Sequence, residues 1–302
     1  MIYYRQMEVM FMELRVLEYF LAVAREQSIS AAAEFLHLTQ PTLSRQLKDL
    51  EDEFGKQLFI RGNRKVTLTE DGVYFRKKAE EIVTLAHRTE SEMKNTDQTI
   101  AGDIYIGAGE TDAVHNLISV AHQLQKEFGG IHFHITSGDT ADLTDRLDKG
   151  LFDFCLLLGE IDQSKYEYLS LPYTDTWGIL MHKDSPLAEK EDIQARDLWD
   201  KPLIISRQSL NVPQFMRWFE KSASELNIVA TYNLAFNASI MAREHMGYVL
   251  TLDKLINTEG TDLCFRPLSP KQTIGMVLVW KKYQPKSKAA EKFIETLSDF
   301  CG

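Results

Sequence analysis

Cysteine is scarce in this chain. The 302 residues hold Cys155, Cys264 and Cys301, far apart and with no C-x-x-C pair, so no cysteine motif for a metal or redox centre is present. Cys155 lies in the apolar run Phe152–Leu158, where it reads as a small core residue of a buried strand. No apolar run approaches the ~20 residues of a membrane helix. The first residues lack a basic segment joined to a long apolar one, so no signal peptide is expected, and the expected location is the cytoplasm. Catalytic signatures are missing as well: there is no P-loop, no H-E-x-x-H and no G-x-S-x-G. Gly107-Ala108-Gly109-Glu110-Thr111-Asp112 begins like a dinucleotide fingerprint, but Asp112 stands where the third glycine belongs and would repel a pyrophosphate. His132 and His134 share a strand face without a nearby cysteine or acidic pair to complete a metal site. No catalytic residue, metal or cofactor is therefore expected. An excess of positive charge is absent too. The net charge is −10, basic and acidic residues roughly balance over the first hundred positions, and the excess acid lies mostly downstream. That distribution discourages the later part of the chain from lying on a polyanion.

What is present is a chain long enough for two or more domains, with an ordinary 44% hydrophobic and 26% charged content. Residues 28–65 are its most informative stretch. Ala31, Ala32 and Ala33 make a thin helix that a second helix can cross closely; Ser30 is its expected N-cap, and Phe35 and Leu36 its apolar anchor. A break at His37–Thr39 follows. In the second helix Thr39 is the expected cap and Pro41 falls in the first turn, where its missing N–H does little harm. Leu43, Leu47, Leu50 and Phe54 define a buried stripe, and Gly55 ends the helix. Pro41, Arg45, Lys48 and Asp52 lie opposite that stripe, with Thr42 and Ser44 on its shoulders. Leu58–Ile60 and Val66–Leu68 read as two short strands joined by a turn at Gly62-Asn63, with Arg61, Arg64 and Lys65 crowding the tip. Helix, turn, helix and basic hairpin together suit a winged helix-turn-helix, whose second helix enters a DNA major groove. Arginine and lysine can pair with guanine edges or phosphates, and a basic wing with phosphates or a minor groove. Taken singly, each basic residue would be an ordinary solvated side chain; their joint placement makes double-stranded DNA the expected partner.

The run from Met12 to Phe75 closely resembles the N-terminal domain of LysR-type transcriptional regulators. The resemblance rests on Leu17-Glu18-Tyr19-Phe20 with Ala22-Val23-Ala24, on Ser28–Ala33, on Leu38–Leu47 including Gln40, and on Leu50-Glu51, Gly55, Leu58–Arg61 and Leu68–Gly72. It continues more weakly through the remaining chain. It implies a regulator with an N-terminal all-α winged helix-turn-helix, a long linker helix, and a C-terminal α/β effector domain of two lobes, as in periplasmic binding proteins. Such proteins bind promoter DNA as homodimers or homotetramers under small-molecule control, which also makes RNA polymerase a further candidate partner and the nucleoid the expected place. The DNA-contacting set is expected to be Ser30, Gln40, Pro41, Thr42, Ser44, Arg45, Lys48, Arg61, Arg64 and Lys65. Residues 1–11, with Met1, Met7 and Met10, read as an upstream start choice or an ordered extension, the DNA-binding domain as 12–68, the linker helix as 69–95 and a polar hinge as 96–101.

Thr69 can cap the linker helix, running from about Glu70 to about Lys94. Phe75, Ala79, Ile82, Ala86, Thr89 and Met93 follow a heptad spacing along it and read as a dimer seam. The alternative is that the stripe packs on its own DNA-binding domain. Beyond residue 102, strands and helices alternate, as in α/β lobes: lobe I is expected over about 102–174 and 266–302, lobe II over about 175–265. Ligands of such folds sit at strand C-termini near helix N-termini. This nominates Gly109, Glu110, Thr111, Ser137, Gly138, Asp139, Ser206, Arg207 and Asn237, each of which could instead serve a helix cap. Arg207 suits an acidic effector; Glu110 suits an amine or hydroxyl. A solute-binding module and an α/β enzyme acting on small molecules are the competing classes. The helix-turn-helix speaks against the first, and the missing catalytic constellation against the second.

Overall fold

The computed structural model describes residues 12–62, 65–94, 100–209 and 213–302. The chain divides into two compact units, one ending at Lys94 and the other running from there to Gly302. The leader, Arg64, Asn63, Val212 and most of the hinge lie outside the described residues.

The first unit contains α1 (Leu14–Glu26), α2 (Ile29–Phe35), α3 (Gln40–Phe54), the strands β1 (Phe59–Arg61) and β2 (Val66–Leu68), and α4 (Glu70–Lys94). One apolar core joins them. Val16, Leu17, Phe20 and Val23 of α1 meet Ala32 and Ala33 of α2 and Leu43, Leu47 and Leu50 of α3. Two expectations are corrected at α2. Its cap is Ser28, whose hydroxyl accepts from the Ala31 amide, because helix geometry already begins at Ile29; Ser30 lies inside the helix. Phe35 is 56% exposed rather than an anchor, and the Arg25 guanidinium covers its ring at 4.2 Å. On α3 the Thr39 side chain accepts from the Thr42 amide, Pro41 sits in the first turn, and Gly55 adopts the left-handed conformation that ends the helix.

α4 begins at the Thr69 cap, whose hydroxyl accepts from the Gly72 amide. Gly72 is required here: a Cβ would lie 2.1 Å from the Leu58 carbonyl oxygen. The heptad stripe divides between two faces. Phe75 packs on Phe20 and Phe54, Ala79 is fully buried, and Val83 joins the same core, so the first half of the stripe covers its own domain. Ala86 is half-buried, while Tyr74, Ile82, Leu85 and Met93 are exposed. Phe75 and Ala79 therefore serve the protomer, because the wing and α1 leave a hollow that their side chains fill.

The second unit runs β3 (Gly102–Ala108), α5 (Val114–Glu127), β4 (Ile131–Ser137), α6 (Thr140–Asp148), β5 (Phe154–Leu158), β6 (Tyr166–His182), β7 (Ile193–Gln194), β8 (Leu203–Ser206), α7 (Pro213–Phe219), β9 (Ile228–Tyr232), α8 (Ala235–Arg243), β10 (Tyr248–Leu252), β11 (Leu263–Ser269), β12 (Thr273–Lys281) and α9 (Lys288–Cys301). The strands lie in the order β4-β3-β5-β12-β6-β10-β8-β9, with β11 also on β6. The parallel pairs β3–β4, β3–β5, β8–β9 and β8–β10 build two halves, and the long β6 belongs to both. Its first part pairs antiparallel with β12 and its second part, from Trp177, with β10 and β11. Pro172 falls in the first part, where the ladder with β12 is irregular between Gly275 and Val277, which is where a strand tolerates proline. Gly178 lets β11 approach, since a Cβ would meet the Arg266 carbonyl oxygen at 2.3 Å. Helices cover both faces of each half. α5 and α9 bury Leu117, Leu124, Phe293 and Leu297 against the first half, and α8 buries Ala238 and Ala242 against the second. α8 starts at Ala235, and Ile118 of α5 is 44% exposed.

The candidate DNA-binding face and ligand cleft

On α3 the core stripe turns Leu43, Leu47 and Leu50 inward and so leaves Gln40, Pro41, Thr42, Arg45 and Lys48 exposed, with Ser44 half-buried. The Thr42 hydroxyl lies 2.7 Å from that of Thr39. The Arg45 side chain is 82% exposed and meets Asp49 at 3.9 Å, one turn along, a contact too open to hold it in place. The wing is tied to this helix by Glu51: one carboxylate oxygen accepts from the amides of Leu58 and Phe59, and the other lies 3.6 Å from Arg61. Arg61 is thus partly engaged within the domain. Lys65 is exposed beside Gly62, whose amide donates to its carbonyl.

In the second unit a cleft opens where strand ends of the two halves meet. Glu110 and Gly138 come from the first half, and Ser206, Gln208, Ser209, Tyr232, Asn233 and Ala235 from the second; Leu158, Trp177, Thr251, Leu252, Leu255 and Ile274 complete the wall. The cleft is partly open to solvent, and its cavity volume is about 110 Å³. Two hydrogen-bonded contacts cross it. The Glu110 carboxylate accepts from the Ala235 amide at 2.5 Å, at the start of α8, whose preceding residue supplies no side-chain cap. The Gln208 amide oxygen accepts from the Thr140 hydroxyl at 2.9 Å and from its amide at 3.3 Å. Burial raises the pKa of Glu110 above the usual carboxylate range, against a smaller opposing effect of the Ala235 amide. Burial likewise pushes the Tyr232 phenol up to about 12; its hydroxyl donates to the Leu250 carbonyl. Beside it, the Thr251 hydroxyl is buried, and its contact with the phenol opposes that rise.

Several nominated residues lie elsewhere. Gly109 is behind the wall, where a Cβ would strike the Leu158 side chain at 2.5 Å. The Thr111 hydroxyl donates to Asp175 and accepts from the Ala113 amide, so it organises the entry to α5. Asp139 caps α6. Ser137 and Asn237 are exposed and outside the described lining, Asn237 on the outer side of α8. Arg207, 62% exposed, stands 3.7 Å from Asp139 and is not part of that lining. Thr111, Ser137 and Arg207 are therefore not brought around one pocket. Sequence reasoning missed Trp177, Asn233 and Thr251, although a threonine inside the apolar run Tyr248–Leu252 was a usable signal. No group of three metal-binding side chains forms among the described residues, and no described helix is long and apolar enough to cross a membrane.

Comparison with known proteins agrees with both units. Residues 14–73 match the bacterial regulatory helix-turn-helix proteins of the lysR family, and residues 97–302 the LysR substrate binding domain. The chain is 28% identical over 280 residues to the Hca operon transcriptional activator HcaR of Escherichia coli K12, covering 91% of this chain and 94% of that one. It is 26% identical over 295 residues to a hydrogen peroxide-inducible genes activator of Pectobacterium carotovorum, covering 95% of both. The crystal structure of CbnR, a LysR family transcriptional regulator, shares the fold, with a TM-score of 0.75 at 17% identity over 96% of this chain and all of that one. The chain thus belongs to the LysR family: it is a DNA-binding transcriptional regulator with a C-terminal effector-binding domain, and not an enzyme.

Proposed function

We propose that α3 reads promoter DNA through Thr42, Arg45 and Lys48, that Lys65 and Arg64 of the wing hold phosphates, and that a small molecule bound in the Glu110–Thr251 cleft sets how the DNA is engaged. The observation that carries this reading is the outward face of α3: three side chains able to meet base edges stand exposed, directly opposite a fully buried leucine stripe. Two copies joined along the exposed residues Ile82, Leu85 and Met93 of α4 would present two such helices to a two-fold symmetric site. Homodimers or homotetramers, contact with RNA polymerase at the promoter and a place at the nucleoid follow from that role. An effector must bind one arrangement of the protein better than another to act. An acidic effector, expected from Arg207, loses that support because Arg207 pairs with Asp139 outside the described lining.

A peroxide response of the kind named for one relative has no support in the thiols. Burial pushes Cys155 up to about 12 and raises Cys264 and Cys301, so each is held as the less reactive thiol. The test is footprinting on the DNA upstream of the protein's own gene. The expected result is a protected, two-fold symmetric site that is lost on Arg45→Ala; an equal affinity for all DNA would refute sequence-specific reading by α3.

A further inference from the structure

We infer that the effector cleft selects a small amine carrying an apolar body, and rejects the corresponding carboxylate. The inference rests on the reading of this cleft as the effector site. Glu110 is the one charged side chain in the described lining. It occupies the start of α8, the place where backbone amides would otherwise receive an anion. An incoming carboxylate would have to displace Glu110 or lie beside it in a partly desolvated space, and like charges there repel strongly. An ammonium group instead meets the Glu110 carboxylate, which uses Oε2 on Ala235 and leaves Oε1 for a donor. The raised pKa of Glu110 is what a buried carboxylate shows when no cation stands beside it.

Two nearby positive charges stand outside the lining. Arg207 faces Asp139, and Lys254 faces Asp112 at 3.6 Å; neither lines the cleft. Leu158, Trp177, Leu252 and Ile274 provide apolar wall for a ring or alkyl body.

The test uses the full chain and two probes of matched shape, 2-amino-1-phenylethanol and mandelate, which share a phenyl ring and a benzylic hydroxyl and differ in the sign of the terminal group. Binding is read by calorimetry and tryptophan fluorescence at neutral pH. The amine should bind at least about tenfold more tightly. Glu110→Gln should erase that preference. Mandelate binding as tightly as the amine, no binding of either probe, or a preference that survives Glu110→Gln overturns the inference. The wild-type comparison decides even if the Glu110 variant fails to fold. Operator affinity measured with each probe separates the two readings. A mandelate-preferring protein whose DNA binding responds refutes the ligand class and leaves the effector site standing. An amine-preferring protein whose DNA binding is indifferent does the reverse.

Discussion

The face of α3 and the cleft of the second unit handle polar side chains differently. On α3, Thr42 meets Thr39 three residues away and Arg45 meets Asp49 four residues away, and both stay in solvent. In the cleft, Glu110 bonds the backbone 125 residues later and Gln208 bonds Thr140 across 68 residues. The first surface is held ready by a helix whose other side is buried. The second is assembled from chain segments that meet only in the folded unit. A nucleic-acid surface can rely on long, exposed, mobile side chains because phosphates and base edges attract them from solvent. A small-molecule cleft must fix its few polar groups against desolvation, so it needs partners supplied by the fold.

The largest expected effect attacks the scaffold of the first surface. Leu47 is 1% exposed in the first unit's core, and Leu47→Ala should cost about 2–5 kcal/mol. Calorimetry should show the N-terminal transition lowered and that of the second unit in place; equal loss from both would mean the units unfold together. Next, Arg45→Ala should cost ~1–3 kcal/mol of operator affinity with the unfolding curve unchanged. Unaltered affinity would remove Arg45 from the contact set. Ile82→Glu comes third. Ile82 is 41% exposed in the protomer, so the change should leave the fold intact and weaken self-association by about tenfold, or ~1.4 kcal/mol. Sedimentation showing the same oligomer would place the partner on another face of α4. The smallest effect is expected at Cys155. With its thiol pushed up to about 12, native protein at neutral pH should leave it unlabelled by a maleimide until denaturant is added. Rapid native labelling would contradict its burial.

Local pattern carried most of the first unit. The Thr39 cap, Pro41, the Leu43–Leu47–Leu50 stripe and Gly55 are all readable because each acts within one or two helical turns. The misjudged positions lie where a neighbour decided. Ser28 won the cap from Ser30 because of where the chain turned, and Phe75 and Ala79 were claimed by Phe20, Phe54 and the rest of the domain core rather than by a partner helix. In the second unit the alternation of strands and helices was legible, while the irregular pairing of β6 with β12, which accommodates Pro172, depends on a strand about a hundred residues later.

Residue order alone was enough to mark a LysR-type regulator, an α3 with one greasy and one polar side, and a later chain of α/β lobes. Those features follow from residue spacing and from motifs contiguous in the chain. Which polar residues share the cleft depended on the folded arrangement. It sent Thr111 to Asp175, placed Arg207 outside the lining, and brought Glu110 to Ala235. Strand ends nominate many candidates equally, and the choice among them depends on side-chain direction and on partners far away in sequence, which periodicity does not encode.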